Sequence, residues 1–435
     1  MKKLIGQVIA LTKNILLNEP EDKKLGMEQF SAGRTDPFSF GGFGIEWWYT
    51  EAAYKLVENI SFMIITEYPS FSDCDHKSIQ TSVRSTLREI CVDKHVFNSD
   101  DVCFGRKKTL FECRSVSNTE YFAKYLLEKI IKNVKSSITD WCVIYTAPRI
   151  SGDTFFIESE RIHVIHKSDK IYWSRLSDIG YVTNDINPET GNYKDRETTQ
   201  FSRLSYEYLF ITESRGTLSG SRFSSSLKLR KLFSVIYAVS TKNRLHKVMA
   251  RAYSHSMQIP HKDSNINMFT TSEIGKLLPY YLEEKVLNAE DINKIKAWYE
   301  LEARLPKGQR DRINKCAHFI NKGMNSKDIE SYIQYFVALD ALYGNRGSVE
   351  KSIVNGVSEL PQNNGWKEKI TWLFDLRNEL VHGGSRFIEE WPDYMRYYKH
   401  FNSEPALDIE QLAFLALSSM PSILTESNKL LNKEK

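Results

Sequence analysis

The sequence holds no CxxC pair among its six cysteines, Cys74, Cys91, Cys103, Cys113, Cys142 and Cys316. That excludes a regular disulfide framework and a cysteine-based zinc module. There is no Gly-rich phosphate loop, no dinucleotide-binding glycine pattern and no G-x-S-x-G elbow, so P-loop, Rossmann and α/β-hydrolase chemistries are set aside. Ser219-Gly220-Ser221 has a superficial likeness to a nucleotidyltransferase loop, but no Asp-x-Asp follows it. No apolar run approaches a membrane span, and no repeat of solenoid period is present. The opening stretch to Leu17 has Lys2 and Lys3 before an apolar segment. Gln7, Thr12, Lys13 and Asn14 interrupt it and no small-residue cleavage site follows. It therefore reads as an amphipathic helix packed on its own protein, not as a signal peptide. Without a secretory signal, the thiols are expected to be reduced and the protein cytoplasmic, with no membrane partner.

One absence is local. From Thr217 to Lys262 there is no Asp or Glu, whereas nine cations fall there: Arg222, Lys228, Arg230, Lys231, Lys242, Arg244, Lys247, Arg251 and Lys262. The whole chain is only +4 with 55 carboxylates, so the charge is concentrated rather than averaged. Lys228, Arg230, Lys231, Arg244, Lys247 and Arg251, with Tyr237, Tyr253 and His255 close in sequence, suit RNA. Phosphates supply attraction there, and aromatic rings can stack on bases. The competing reading is a cationic face that balances acidic segments elsewhere.

Length and composition, 435 residues with 41% hydrophobic and 26% charged, suit a globular protein of two or three domains. From Phe40 to Thr212 the patterns are mixed. Val57–Tyr68, Asp140–Tyr145, Thr154–Ile157, Arg161–Ile165 and Tyr206–Ile211 read as strands by β-branched and aromatic content. Tyr121–Val134 reads as a helix, and Asn184–Gln200 as a polar loop. Ser224–Ser226 is a candidate cap for a helix through Val239. Ser272–Leu287, Asp291–Ala303, Asp311–Lys322, Asn325–Tyr343, Gly347–Leu360 and Trp366–His382 read as helices. Asp408 and Gln411 form a capping box for a last helix to Leu430. The expected fold is α+β and multidomain. It comprises an N-terminal α+β domain (1–215), a basic, mostly helical connection (216–295) and an all-α bundle (296–435).

Within that bundle, Trp366, Ile370, Leu373, Phe374 and Val381 draw one apolar stripe, and Arg377 falls in its middle. Asn378 and His382 lie together on the stripe's edge, with Asp375 close by. Gly383 and Gly384 stop the helix. A guanidinium cannot shed its charge, so a central place on an apolar stripe calls for a partner or a ligand. On the preceding helix Asp340 shares the stripe of Ile329, Ile333, Phe336 and Tyr343. A buried Asp340–Arg377 pair would relieve both charges. Such a pair can be structural, or can hold the guanidinium for a phosphate.

Arg377-Asn378-Glu379-Leu380-Val381-His382 resembles the R-x4-6-H signature of HEPN domains, with the polar residue after Arg that is typical of their ribonuclease members. Phe336-Val337-Ala338-Leu339-Asp340-Ala341-Leu342-Tyr343-Gly344 resembles the earlier helix of the ApeA-like HEPN group, which usually carries Glu where Asp340 stands. The resemblance covers the last third of the chain. It implies a HEPN-like bundle and a metal-independent endoribonuclease needing no cofactor, in which the substrate's own 2′-hydroxyl attacks the adjacent phosphate. His382 would move protons, Arg377 would stabilise the phosphate charge, Asn378 would orient the imidazole or contact phosphate, and Asp340 would support Arg377. It further implies a homodimer with two motifs in one cleft, and antiphage defence by toxin-like cleavage of cellular RNA (abortive infection). The N-terminal domain would then sense a phage-derived trigger. A non-catalytic RNA- or nucleotide-binding module is the alternative.

Other histidines carry less. His163 and His166, three apart on a strand, point to opposite faces, and Asp73-Cys74-Asp75-His76 has no second cluster to complete a zinc site. His318 reads as a packing or surface residue.

Overall fold

The computed structural model describes residues 2–21, 26–32, 43–71, 74–146, 149–166, 169, 178–181, 208–240, 254–264, 270–274, 277–279, 281–361 and 365–433. The chain is mixed α/β, with several sheets and a C-terminal helical region. It divides into two compact units. The first is Met1–Trp141 with Ser214–Phe223 and Ser264–Ile266; the second is Cys142–Glu213, Ser224–Asp263 and Asn267–Lys435. The described residues between Cys142 and Glu213 thus group with the C-terminal helices and not with the N-terminal segment.

The first unit opens on α1 (Lys2–Lys13), a helix because Leu4, Ile5, Val8 and Leu11 fall on one buried face. β1 (Ile15–Leu16), β2 (Gly26–Ala32) and β3 (Phe43–Tyr49) form an antiparallel sheet in the order β1-β3-β2. Three helices follow: α2 (Glu51–Glu67), α3 (His76–Ile90) and, after the short α4 (Ser99–Cys103), α5 (Thr119–Ser136). Val57–Tyr68 is therefore not a strand. Ala53, Val57, Ile60 and Ile64 bury one helical face, and the Thr50 hydroxyl accepts from the Ala53 N–H at 3.1 Å. Period and cap outweigh β-branched content. Asp75 caps α3 in the same way, accepting from the Ser78 N–H at 2.8 Å. Val8, Ile60, Leu87, Phe122 and Leu126 belong to the core these helices share.

The second unit is built on a six-stranded sheet, ordered β10-β9-β4-β8-β7-β6. Its strands are β4 (Thr139–Thr146), β6 (Phe155–Ile157), β7 (Ile162–His166), β8 (Tyr208–Gly216), β9 (Ser254–Pro260) and β10 (Thr270–Ile274). β7 pairs antiparallel with β6 and β8, and Ile162 lies opposite Thr212. β5 (Ile150–Gly152) and β11 (Lys285–Leu287) form a separate parallel pair. The described part of Ser272–Leu287 thus holds the end of β10 and the whole of β11, where the sequence reading expects a helix. Thr270–Ile274 finds an open edge at β9, where pairing rewards β-branched residues irrespective of helical period. α6 (Leu218–Ser240) starts before Ser224–Ser226, so those serines lie inside it and not at its start. The Asn184–Gln200 loop lies outside the described residues.

From α7 (Ala289–Ala303) the chain is helical: α8 (Lys307–Asn325), α9 (Asp328–Tyr343), α10 (Val349–Ser358), α11 (Trp366–His382), α12 (Tyr394–Phe401) and α13 (Pro405–Lys433). The start of α9 falls two residues later than a cap at Asn325 would give and one later than a cap at Ser326. Likewise α13 starts before Asp408, which is buried and accepts from Lys369, Tyr397 and Ser403 instead of closing a capping box. α13 carries Pro421 within its span. Proline has no N–H for the carbonyl four residues back, and the Trp298 indole donates to that Leu417 carbonyl at 2.9 Å. By length and composition Pro405–Leu430 is apolar enough to cross a membrane. Its Ile409, Leu412, Ala413, Ala416, Leu417 and Met420 are buried within the protein.

Candidate functional site

α11 presents the Arg377, Asn378 and His382 side chains on a well-anchored helix. Trp366, Ile370, Leu373, Phe374, Leu376 and Leu380 are buried, whereas Val381 is 49% exposed and leaves the stripe. Two contacts fix α11 against α9. The Phe336 and Phe374 rings meet edge to face at 4.8 Å, and the buried Tyr332 hydroxyl donates to the Leu373 carbonyl at 2.6 Å. Register between the two helices is therefore set by an aromatic pair and one directional bond.

On this helix Arg377 is half-buried and its Nη1 donates to Asn378 Oδ1 at 3.0 Å. Among the described residues Arg377 makes no ion pair. Asp340 is exposed, and its carboxylate lies where a Cβ on Gly344 would sit. The buried Asp340–Arg377 pair is thus not formed. Asp340 falls on the rim of α9, where its charge stays in water at little cost, and the guanidinium's neighbour is Asn378. Asn378 is likewise half-buried and grips Arg377, not the imidazole. Asp375 is engaged elsewhere, accepting from the Trp391 indole at 3.2 Å.

His382 is the last residue of α11 and is exposed. Gly383 takes the left-handed position at φ 77°, its N–H reaching the Glu379 carbonyl, and the Gly384 N–H reaches the same carbonyl at 2.8 Å. The Glu379 carboxylate occupies the space a Gly384 side chain would need. The paired glycines have separate causes: backbone sign at Gly383, close approach of Glu379 at Gly384. Glu379 is a neighbour that motif reading overlooks; its five-residue spacing to Gly384 is the only signal it leaves in the sequence.

The arrangement therefore offers a cation whose planar fork is partly held and otherwise has no protein partner among the described residues. Within a turn and a half of it stands an imidazole open to solvent. That is a set suited to a phosphate oxyanion and a proton transfer. Two cavities of about 410 Å³ each lie elsewhere in the helical region, and neither is lined by Arg377, Asn378 or His382. Among the described residues no three His, Cys, Asp or Glu side chains cluster as metal ligands.

The basic window behaves differently from its sequence reading. Lys228 donates to the Glu160 and Glu213 carbonyls at 2.8 and 2.9 Å, and burial pushes its pKa down. Arg230 donates to Asn321 Oδ1 at 2.6 Å, and burial lowers its pKa as well. Lys231 is 4% exposed and bridges Glu160 at 2.7 Å and Glu302 at 3.0 Å. These three cations are turned inward, contrary to the expected RNA-facing surface. The acids missing from the window are supplied by distant segments, because an uncompensated buried charge is costly. Arg244, Lys247 and Arg251 lie outside the described residues. Of the remaining histidines, His163 meets Glu213 at 3.0 Å, and this bond is the chief cause that holds the Glu213 carboxyl below its usual range. His318 is half-buried on α8. None of the six cysteines is in a disulfide.

Comparison with protein-family models, with curated proteins and with solved structures finds no match for this chain.

Proposed function

We propose that this protein is a HEPN-type endoribonuclease whose active centre is Arg377, Asn378 and His382 at the end of α11. The carrying observation is the pairing of a half-buried guanidinium, held by Asn378 at 3.0 Å and free of any acid among the described residues, with an exposed histidine within a turn and a half of it. No carboxylate among the described residues takes up this charge, which leaves the guanidinium available to a phosphate. In this reading the substrate's 2′-oxygen attacks the neighbouring phosphorus as its proton leaves. The P–O5′ bond breaks, and the products are a 2′,3′-cyclic phosphate and a 5′-hydroxyl. His382 takes or delivers a proton, and Arg377 donates to the non-bridging oxygens as charge builds on them. Asn378 preorganises the fork by holding one of its arms. The C-terminal helices would form the HEPN-like bundle and pair two copies across one cleft, and the sequence resemblance suggests a toxin-like role in antiphage defence. Asp340 has no part in positioning Arg377.

Cleavage of a mixed RNA by the purified full chain in EDTA tests this. Activity lost in folded His382→Ala and folded Arg377→Ala supports the nuclease, and cleavage persisting in both removes α11 from the chemistry.

A non-catalytic RNA- or nucleotide-binding module is favoured by one observation: no carboxylate among the described residues orients His382. On that reading, wild type binds RNA without cutting it, and only Arg377→Ala weakens binding.

A further inference from the structure

One of the cavities in the helical region combines features that packing alone does not explain. It lies among α8, α9, α10 and α13, with Leu342, Met420 and Leu424 among its apolar walls. Leu342 and Met420 are buried. At about 410 Å³ it falls within the size range of small-molecule sites. Tyr343 forms part of the wall. Its ring is seated against the α10 backbone at Gly356, where any Cβ would collide with it. Its hydroxyl is buried with no hydrogen-bond partner among the described residues, and burial raises its pKa. A phenylalanine would fill the same space without stranding a donor, so the hydroxyl calls for an explanation.

The rim supplies the second feature. Arg312 and Glu359 both line the cavity, are exposed, and form no ion pair with each other. Arg312 spends one arm on the Leu342 carbonyl at 3.4 Å, and no partner is seen for the Glu359 carboxylate among the described residues. The polar side chain of Gln309 is already satisfied by Asn428, at 3.0 and 3.3 Å. What remains free is one cation, one carboxylate and one buried phenol around an apolar hollow.

We infer that this cavity binds a small zwitterion with an apolar body, of which a free apolar amino acid is the simplest form. Its carboxylate meets Arg312, its ammonium meets Glu359 beside the Tyr343 hydroxyl, and its side chain enters the hollow between Leu342, Met420 and Leu424. Matched opposite charges at the mouth disfavour simple anions and simple cations, each of which would face a like charge. The site is independent of the α11 chemistry.

The test is calorimetry on the full chain with L-phenylalanine, L-leucine and L-tryptophan. Phenethylamine and N-acetyl-L-phenylalanine, each lacking one charge, serve as comparisons. Saturable binding of at least one amino acid is expected, weakened about tenfold or more by loss of either ligand charge, by Arg312→Gln or by Glu359→Gln. Leu424→Trp, which fills the hollow, should abolish it, and Tyr343→Phe should weaken it while leaving the circular dichroism spectrum unchanged. No heat from any of the three amino acids at millimolar concentration overturns the inference. So does equal binding of the singly charged comparisons, or binding unaffected by Leu424→Trp in a folded variant.

Discussion

The difference between a cation that serves a ligand and one that serves the fold is decided by its partners. Lys231 is held by two carboxylates, one of them the 3% exposed Glu302. Lys231→Ala should therefore destabilise the protein by about 3–5 kcal/mol by leaving a buried charge unpaired. Urea denaturation reads this, and a Lys231→Ala/Glu302→Gln double variant should recover part of the loss. Among the described residues Arg377 has only an amide as partner, so Arg377→Ala should leave the urea midpoint nearly unchanged while lowering RNA cleavage roughly 10²–10³-fold. His382→Ala should cost about 10²–10⁴-fold by loss of proton transfer. Asn378→Ala should lower kcat less than either, because it loosens Arg377 without removing it. Glu213 adds a pH dependence. The His163 bond holds its carboxyl below the unfolded value, so the stability it contributes is present above the unfolded carboxylate pKa and is lost as pH falls through the depressed folded one. Replacement by glutamine should flatten that acid limb of the stability profile.

Elements here end and bend for reasons that single positions can test. Gly383 sits at φ 77°, so Gly383→Ala should cost about 1–2 kcal/mol for a left-handed L-residue. Since the same turn carries His382, cleavage should fall along with the melting temperature. The proline inside α13 is matched by an indole from α7. Trp298→Phe strands the Leu417 carbonyl and should cost about 1–3 kcal/mol. In a Pro421→Ala background the restored N–H can serve that carbonyl, so the same change should cost less, and a double-mutant cycle by urea denaturation measures the difference. Where elements were misread from sequence, the cause is a local rule overruled by context. Val57–Tyr68 has strand composition but helical period and a capped start. Thr270–Ile274 has polar and β-branched residues that an exposed edge recruits. Asp408 has the spacing of a cap, yet helix α13 begins earlier and uses it as the buried acceptor for Lys369.

For the whole molecule, the proposed activity should survive EDTA. If two copies share one cleft, specific activity should rise with protein concentration in step with dimer measured by sedimentation. Cleavage independent of concentration, by a monomer, would contradict the paired arrangement. The sequence by itself determined most of the helices from α7 onward, though not α12, together with the bounds of α11 and the glycine stop behind His382. All of these follow from period and backbone sign within one helix. Only the tertiary structure decided that Asp340 faces water and that Asn378 is the residue holding Arg377. It also decided that Lys228, Arg230 and Lys231 spend their charge on Glu160, Glu213, Asn321 and Glu302. Those outcomes depend on which distant segment arrives at each side chain. Spacing along one chain carries the face a residue occupies, but not the identity of the group that meets it.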